Sequence, residues 1–108
     1  MSDKILKSIQ KCFNNDRVYY TKHALQEMKN EEFGIIYDED VYYAILNSEI
    51  IEYYLDDKPY PSILILGFTK SKRPLHIVIS YNEEEDFAYV ITVYHPDPNL
   101  WIDFKKRK

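Results

Sequence analysis

Glycine and cysteine are scarce in this sequence of 108 residues. The two glycines, Gly34 and Gly67, form neither G-x-x-x-x-G-K nor G-x-G-x-x-G, which excludes the common phosphate-binding loops. The single cysteine, Cys12, excludes a disulfide framework and a cysteine-based zinc site. No apolar run approaches the roughly 18–20 residues that span a bilayer, and no signal-peptide core follows Met1. We therefore expect a cytoplasmic protein with no membrane contact.

Positive charge is also in the minority. Fourteen Lys and Arg stand against eighteen Asp and Glu, a net charge of −4. This balance argues against nonspecific binding to duplex nucleic acid, which depends on many Lys and Arg contacts to phosphate, but it leaves room for a small basic site. The length fits a single domain, residues 1–108, that ends in a basic tail at about 102–108, which we expect to be flexible. Eleven tyrosines favour strands.

Hydrophobic periodicity predicts three helices in the first half of the chain. They are Asp3–Phe13 with Ser2 or Asp3 as its N-cap, a helix from Lys22 to about Asn30, and a helix that Asp38 caps and that runs through Leu46. Thr21 is the expected N-cap of the second helix, and Gly34 is its candidate left-handed C-cap.

Extended segments fill the second half of the chain. A short strand is predicted at Val18–Tyr20, and longer ones follow at Glu49–Tyr54, Ile63–Phe68, Leu75–Tyr81 and Phe87–Tyr94. Short connections make the later strands consecutive antiparallel neighbours. The predicted fold class is α+β, with N-terminal helices packed on one face of an antiparallel sheet of about four strands.

Strand alternation sorts the side chains onto two faces. Leu75, Ile77 and Ile79 share one face of their strand, and His76, Val78 and Ser80 share the other. On the next strand Ile91 and Val93 share a face, with Val90, Thr92 and Tyr94 opposite. We expect the aliphatic sets to face the helices. His76, Ser80, Thr92 and Tyr94 would then converge on the open face.

These residues suggest metal-free cleavage of RNA. Arg73, three residues before His76, would clamp a phosphate, and His23 or His76 would move the proton. Tyr94 would orient the reacting group, and the RNA 2′-hydroxyl would be the nucleophile. Further contacts to RNA are expected from Lys22, Lys70, Lys72 and Thr92. The spacing of the three histidines matches no metal motif, so neither a metal nor another cofactor is expected.

Two alternatives remain open for the same fold. One is a noncatalytic module that binds a partner chain through a tyrosine-rich sheet face. The other is a homodimer joined through that face. Both are compatible with the acidic net charge of the chain.

Three motifs carry a resemblance to a known family. They are H-A-L-Q-E-M at His23–Met28, R-P-L-H-I-V at Arg73–Val78 and I-T-V-Y-H-P-D-P at Ile91–Pro98. With them the chain resembles a small prokaryotic family of unknown function that has an H-A-x-x-R-M motif and is often encoded beside a zinc-finger antitoxin of the MqsA (YgiT) type.

The resemblance implies a fold similar to the RelE and MqsR messenger-RNA interferases, with helices on one face of a curved antiparallel sheet. It also implies an RNA-cleaving toxin with a zinc-finger antitoxin as its partner. The residues in the matching motifs are His23, Arg73, His76, Thr92 and Tyr94. The chain departs from the family pattern at three positions. Glu27 and Phe33 stand where the family usually has arginine, and His95 stands where it often has glutamate.

Overall fold

A computed structural model describes residues 3–108 as three helices and a five-stranded mixed sheet, with the helices packed against the sheet, which confirms the predicted α+β class. The helices are α1 (Asp3–Asn14), α2 (Lys22–Lys29) and α3 (Asp38–Leu46). The strands of the sheet are β1 (Val18–Tyr20), β2 (Ser48–Tyr54), β3 (Ser62–Phe68), β4 (Pro74–Asn82) and β5 (Phe87–Tyr94). Two short strands, β6 (Trp101–Ile102) and β7 (Lys106–Arg107), form a separate pair.

The strand order in the sheet is β1-β5-β4-β3-β2. Strands β2 to β5 form the predicted antiparallel meander. Strand β1 adds a fifth member at the far edge, where it runs parallel to Ala88–Val90 of β5. The sheet is therefore mixed, and not purely antiparallel as predicted. A strand of three residues carries no sequence signal for the direction of a partner that lies 70 residues further along the chain.

All three helices pack on one face of the sheet, the helical face. Their buried apolar side chains form one core with those of the strands, and the helix members include Leu6, Ile9, Ala24, Met28, Val41 and Ile45. Gly67 of β3 lies under α3, where a Cβ would be 2.3 Å from the carbonyl oxygen of Ala44. This strand position therefore accepts glycine alone, because any side chain would push the helix backbone away.

The predicted helix ends are right in part. Thr21 caps α2, since its hydroxyl accepts from the Ala24 amide at 3.1 Å. The residue before α3 is Tyr37, whose amide donates to the Asp40 carboxylate at 2.9 Å, so Asp38 is not the cap. Helix α2 ends at Lys29 with Asn30 as its C-cap, and Gly34 takes its positive φ of 122° in the following loop. The N-cap predicted at Ser2 or Asp3 falls outside the residues whose side chains are described.

Alternation on β4 is as predicted, but β5 contains a bulge. Val78 pairs with Thr92 and the next residue, Ile79, pairs with Val90, which leaves Ile91 without a partner. The bulge turns Val90 into the helical core, where Val93 also lies. The prediction that Ile91 faces the helices and Val90 the opposite side is wrong for this reason. Thr92 and Tyr94 remain on the face opposite the helices, the second face.

The basic C-terminal segment is ordered. Trp101 pairs with Arg107 and Ile102 with Lys106, which gives a C-terminal hairpin of residues 101–107. Its turn places Asp103 and Phe104 at φ values of 52° and 62°, the φ signs of a type I′ hairpin turn. The expectation of a flexible tail is therefore wrong, because the hairpin packs on the second face. Within residues 3–108, no helix has the length and apolar character required to cross a bilayer.

Candidate functional site

His76 lies on the second face and is completely buried. Its Nε2 donates to the carbonyl oxygen of Phe104 at 2.6 Å, since a carbonyl can only accept. Nδ1 must then accept, and the Tyr94 hydroxyl donates to it at 3.1 Å. The imidazole and the Trp101 ring also meet in an edge-to-face arrangement, with centroids 4.5 Å apart. The C-terminal hairpin thus covers the histidine and fixes its tautomer.

Burial holds the pKa of His76 below its ordinary value. The hydrogen bond to Phe104 and the negative charge of Glu52 oppose this effect, and the charge of Arg107 adds to it. The imidazole is therefore neutral at pH 7 in the covered state. Tyr94 keeps its proton as well, because burial raises the pKa of its phenol to about 12.

A carboxylate and a guanidinium meet near enough to this histidine for both charges to act on its pKa. Arg107 donates to both oxygens of Glu52, from Nε at 2.9 Å and from Nη2 at 3.1 Å. Tyr54 donates to the same carboxylate and accepts from Arg107 at 3.4 Å. These bonds, that of Arg107 first, lower the pKa of Glu52 despite some burial, so the group is charged at neutral pH.

Together these residues make up the face cluster, defined as Glu52, Tyr54, His76, Tyr94 and Arg107. The members of the cluster differ in their exposure to solvent. The Arg107 side chain is 62% exposed and that of Glu52 25%, whereas His76 is sealed. A carboxylate and an imidazole can move protons, and a guanidinium can stabilise charge on a phosphodiester.

Arg73 is placed differently from the prediction. Its guanidinium donates to the carbonyl of Phe33 and to Nε2 of His95, the latter at 3.1 Å. His95 in turn donates from Nδ1 to the carbonyl of Pro74 at 3.1 Å. Arg73 therefore holds the loop after α2 against the start of β4. Among residues 3–108, no hydrogen bond joins Arg73 to His76, so the structure does not bring this predicted pair together.

His23 lies apart from His76. It projects from α2 on the helical side of the sheet, 66% exposed, with Nε2 3.4 Å from the carboxylate of Glu27. It lines an open hollow of about 330 Å³. Glu27 also accepts from the backbone amide of Val93 at 3.2 Å, and so fastens α2 to β5. The sheet separates the two predicted proton carriers.

The predicted RNA contacts occupy accessible positions with one exception. Lys22, Lys70 and Lys72 are exposed, and the last two belong to the turn between β3 and β4. Thr92 is partly buried on the second face, opposite Val78. No three His, Cys, Asp or Glu side chains gather as metal ligands in the described part of the chain.

A family model for a domain of unknown function, DUF4258, matches residues 20–95, which is more than half of the chain. The chain belongs to the DUF4258 family. The matched range contains Glu52, Tyr54, His76 and Tyr94, whereas Arg107 and the rest of the hairpin follow it. No curated protein and no solved structure matches the chain.

Three members of the face cluster in this DUF4258 chain were not predicted from the sequence. Glu52 and Tyr54 lie on an edge strand, and a charged residue between Ile51 and Tyr53 was the available signal. Arg107 sits among four consecutive basic residues, and no local pattern connects it to a carboxylate 55 residues earlier.

Proposed function

We propose that this chain is a metal-independent endoribonuclease, an interferase-type toxin of a toxin–antitoxin system, with the face cluster as its cleavage centre. The observation that supports this proposal is the pairing of Glu52 with Arg107 near enough to the hydrogen-bonded His76 and Tyr94 for both charges to act on the imidazole. The guanidinium at this centre is that of Arg107, which replaces Arg73 as the proposed phosphate clamp.

The chemistry needs no nucleophile from the protein. The ionised Glu52 accepts the proton of an RNA 2′-hydroxyl as its oxygen bonds to phosphorus. Arg107 stabilises the charge that develops on the phosphate oxygens. The bond between phosphorus and the 5′ oxygen breaks, and His76 gives that oxygen a proton. The products are a 2′,3′-cyclic phosphate and a free 5′-hydroxyl.

His76 must be protonated and uncovered for the last step. Burial depresses its pKa in the covered state. Once the Phe104 carbonyl moves away, water reaches the ring and the pKa returns toward the ordinary value of about 6.5. Tyr94 then holds the ring through Nδ1, with Nε2 free to face the leaving group.

Single-stranded cytoplasmic RNA is the proposed substrate. Thr92 shares the second face with the cluster, and exposed Lys70 and Lys72 lie at the end of the sheet where β4 begins. Lys22 remains a proposed contact to RNA at the start of α2. The resemblance to the H-A-x-x-R-M family, which is often encoded beside a zinc-finger antitoxin, adds such an antitoxin as the proposed partner.

The experiment is cleavage of single-stranded RNA in EDTA by the purified chain and by charge-matched variants. Arg107→Gln and Glu52→Gln should lower the cleavage rate at least about 100-fold, as expected when a general base or the cation at a developing charge is removed. Arg17→Gln is the control for the loss of one positive charge. Arg17 does not belong to the face cluster, since its guanidinium donates to the backbone carbonyls of Glu85 and Asp86. If Arg73→Gln abolished cleavage and Arg107→Gln did not, the face cluster would be the wrong centre.

One observation favours the noncatalytic alternative. Both ring nitrogens of His76 are hydrogen-bonded within the chain, as expected of a structural histidine. Under this alternative the chain is a partner-binding module or a homodimer. It predicts no cleavage at high protein concentration. It also predicts a stable complex with the product of a neighbouring gene, or a dimer of the chain alone, in size-exclusion chromatography with light scattering.

A further inference from the structure

The C-terminal hairpin is attached to the sheet mainly through side chains. The backbone hydrogen bonds of residues 100–108 that lie outside helices and strands all stay within the segment or join it to Asp97, and β6 and β7 pair only with each other. In the described chain, no backbone–backbone bond therefore joins the hairpin to the five-stranded sheet. An element held in this way can separate from the sheet without breaking a strand ladder.

Two ion pairs contribute to the attachment. Lys105 lies 3.0 Å from the carboxylate of Glu49, and Arg107 pairs with Glu52. Both side chains of the first pair are 53% exposed, so water and salt reach them. Further contacts are the Phe104 carbonyl and the Trp101 ring on His76, and the bond from Arg107 to the Tyr54 hydroxyl.

The cations of these ion pairs can also bind the phosphate groups of RNA. The chain ends in four consecutive basic residues, Lys105, Lys106, Arg107 and Lys108, within an acidic protein. Phosphate groups along a single strand of RNA compete with carboxylates for Lys and Arg. Each phosphate that binds here removes one bond that keeps the hairpin closed.

We propose that the C-terminal hairpin is an RNA-operated cover, in which backbone phosphates displace Glu49 and Glu52 from Lys105 and Arg107 and thereby uncover His76. This inference rests on the proposed function and adds its regulation. A phosphate that enters between Arg107 and Glu52 moves the hairpin outward and breaks the bond between Phe104 and His76. Arg107 remains on the phosphate, which then lies beside the uncovered imidazole.

The two equilibria are coupled in both directions. RNA shifts the hairpin toward the open form, and any change that weakens the closed form must strengthen RNA binding. Without RNA the imidazole stays covered, so the free protein keeps its proton carrier out of reach.

Trp101 reports the position of the hairpin directly. It is the only tryptophan of the chain and is 6% exposed in the closed form. The experiment is acrylamide quenching of its fluorescence in the full chain during titration with a single-stranded oligouridylate. Binding of the same RNA, carrying a fluorophore, is followed separately by anisotropy. We expect bound RNA to raise the quenching constant at least about threefold, as for a side chain that leaves a buried site.

Two variants that each remove one negative charge distinguish opening of the hairpin from a general change in the charge of the protein. Glu49→Gln removes the partner of Lys105, and Glu83→Gln makes the same charge change in the exposed turn between β4 and β5. Glu49→Gln should raise quenching without RNA and tighten RNA binding. Glu83→Gln should leave quenching unchanged. The Nε2 proton of His76, observed by NMR, should exchange faster with solvent in Glu49→Gln.

Two results would overturn the proposal that the hairpin is a cover. In the first, RNA binds but the quenching of Trp101 does not increase. In the second, no RNA binds even at low salt. If the chain is not a nuclease but the cover is correct, the result is different: RNA binding increases the quenching of Trp101, and the RNA is not cleaved. Cleavage with Trp101 still shielded would keep the nuclease and reject the cover.

Discussion

The imidazole of His76 donates to the carbonyl oxygen of Phe104, 28 residues further along the chain, at 2.6 Å. This bond joins the histidine predicted as a proton carrier to the segment predicted as a flexible tail. It explains why the side chain is completely buried although it lies on the sheet face that the helices leave free. The state of the hairpin therefore decides whether this histidine meets solvent.

Removal of the Tyr94 hydroxyl should destabilise the fold. In Tyr94→Phe, Nδ1 of buried His76 loses its donor, and an unsatisfied buried acceptor costs about 1–3 kcal/mol. Urea unfolding followed by Trp101 fluorescence measures the loss. Tyr53→Phe is the matched control, because Tyr53 is 47% exposed, and its cost should stay within about 0.5 kcal/mol. Equal stability of the two variants would contradict the hydrogen bond between Tyr94 and His76.

Stability should decline on acidification through the ordinary pKa of histidine. The folded chain holds the pKa of His76 low, so the unfolded chain takes up this proton at higher pH. More protons on the unfolded state mean that the free energy of unfolding falls as the pH drops from about 7 to below about 6.5. Above this window His76 contributes no pH dependence.

Unfolding midpoints between pH 7 and pH 5 test this effect. His76→Gln should flatten the decline, because it removes the group whose pKa burial lowers. A decline that is the same in wild type and His76→Gln would assign the pH dependence to other groups.

Gly67→Ala should be among the most damaging single-methyl additions. The new Cβ would lie 2.3 Å from the Ala44 carbonyl oxygen of α3, a backbone atom that cannot move alone. We expect a loss of about 3 kcal/mol, the upper part of the range for overpacked cores. Chemical denaturation measures it, with exposed Lys70→Ala as the control. Wild-type stability would mean that α3 lies further from β3.

Loss of Arg73 should loosen the loop after α2. Arg73→Gln removes bonds to the Phe33 carbonyl and to His95, at a cost of about 1 kcal/mol. Limited proteolysis should then cut more rapidly between residues 30 and 37. Lys72→Gln, an exposed neighbour in the same turn, serves as control. Identical cleavage patterns in the two variants would show that the loop does not depend on Arg73.

Local patterns predicted much of this fold. Helical spacing located α1 to α3, and alternation put His76 and Tyr94 on one face, where they form a hydrogen bond. The bulge at Ile91 could not be predicted in this way, because alternation of side chains assumes a strand without bulges. One extra residue exchanged the faces expected for Val90 and Ile91.

The part of the candidate site that was not predicted depends on side-chain pairs between residues far apart in sequence. Arg73 is three residues from His76 in sequence but bonds His95, whereas Arg107 reaches Glu52 across 55 residues. A run of Lys and Arg has the composition of a solvated tail, and its pairing with the carboxylates of β2 forms only in the folded chain. Sequence proximity therefore did not identify the guanidinium whose charge acts on His76.

Analysis of RNA ends tests the central claim most directly. A defined single-stranded RNA is incubated with the chain in EDTA, and its products are identified by mass spectrometry. Cleavage at the face cluster predicts 2′,3′-cyclic phosphate and 5′-hydroxyl ends, formed by wild type and Tyr53→Phe and lost in His76→Gln and Arg107→Gln. Intact RNA at high protein concentration, or products with 5′-phosphate ends, would contradict the account.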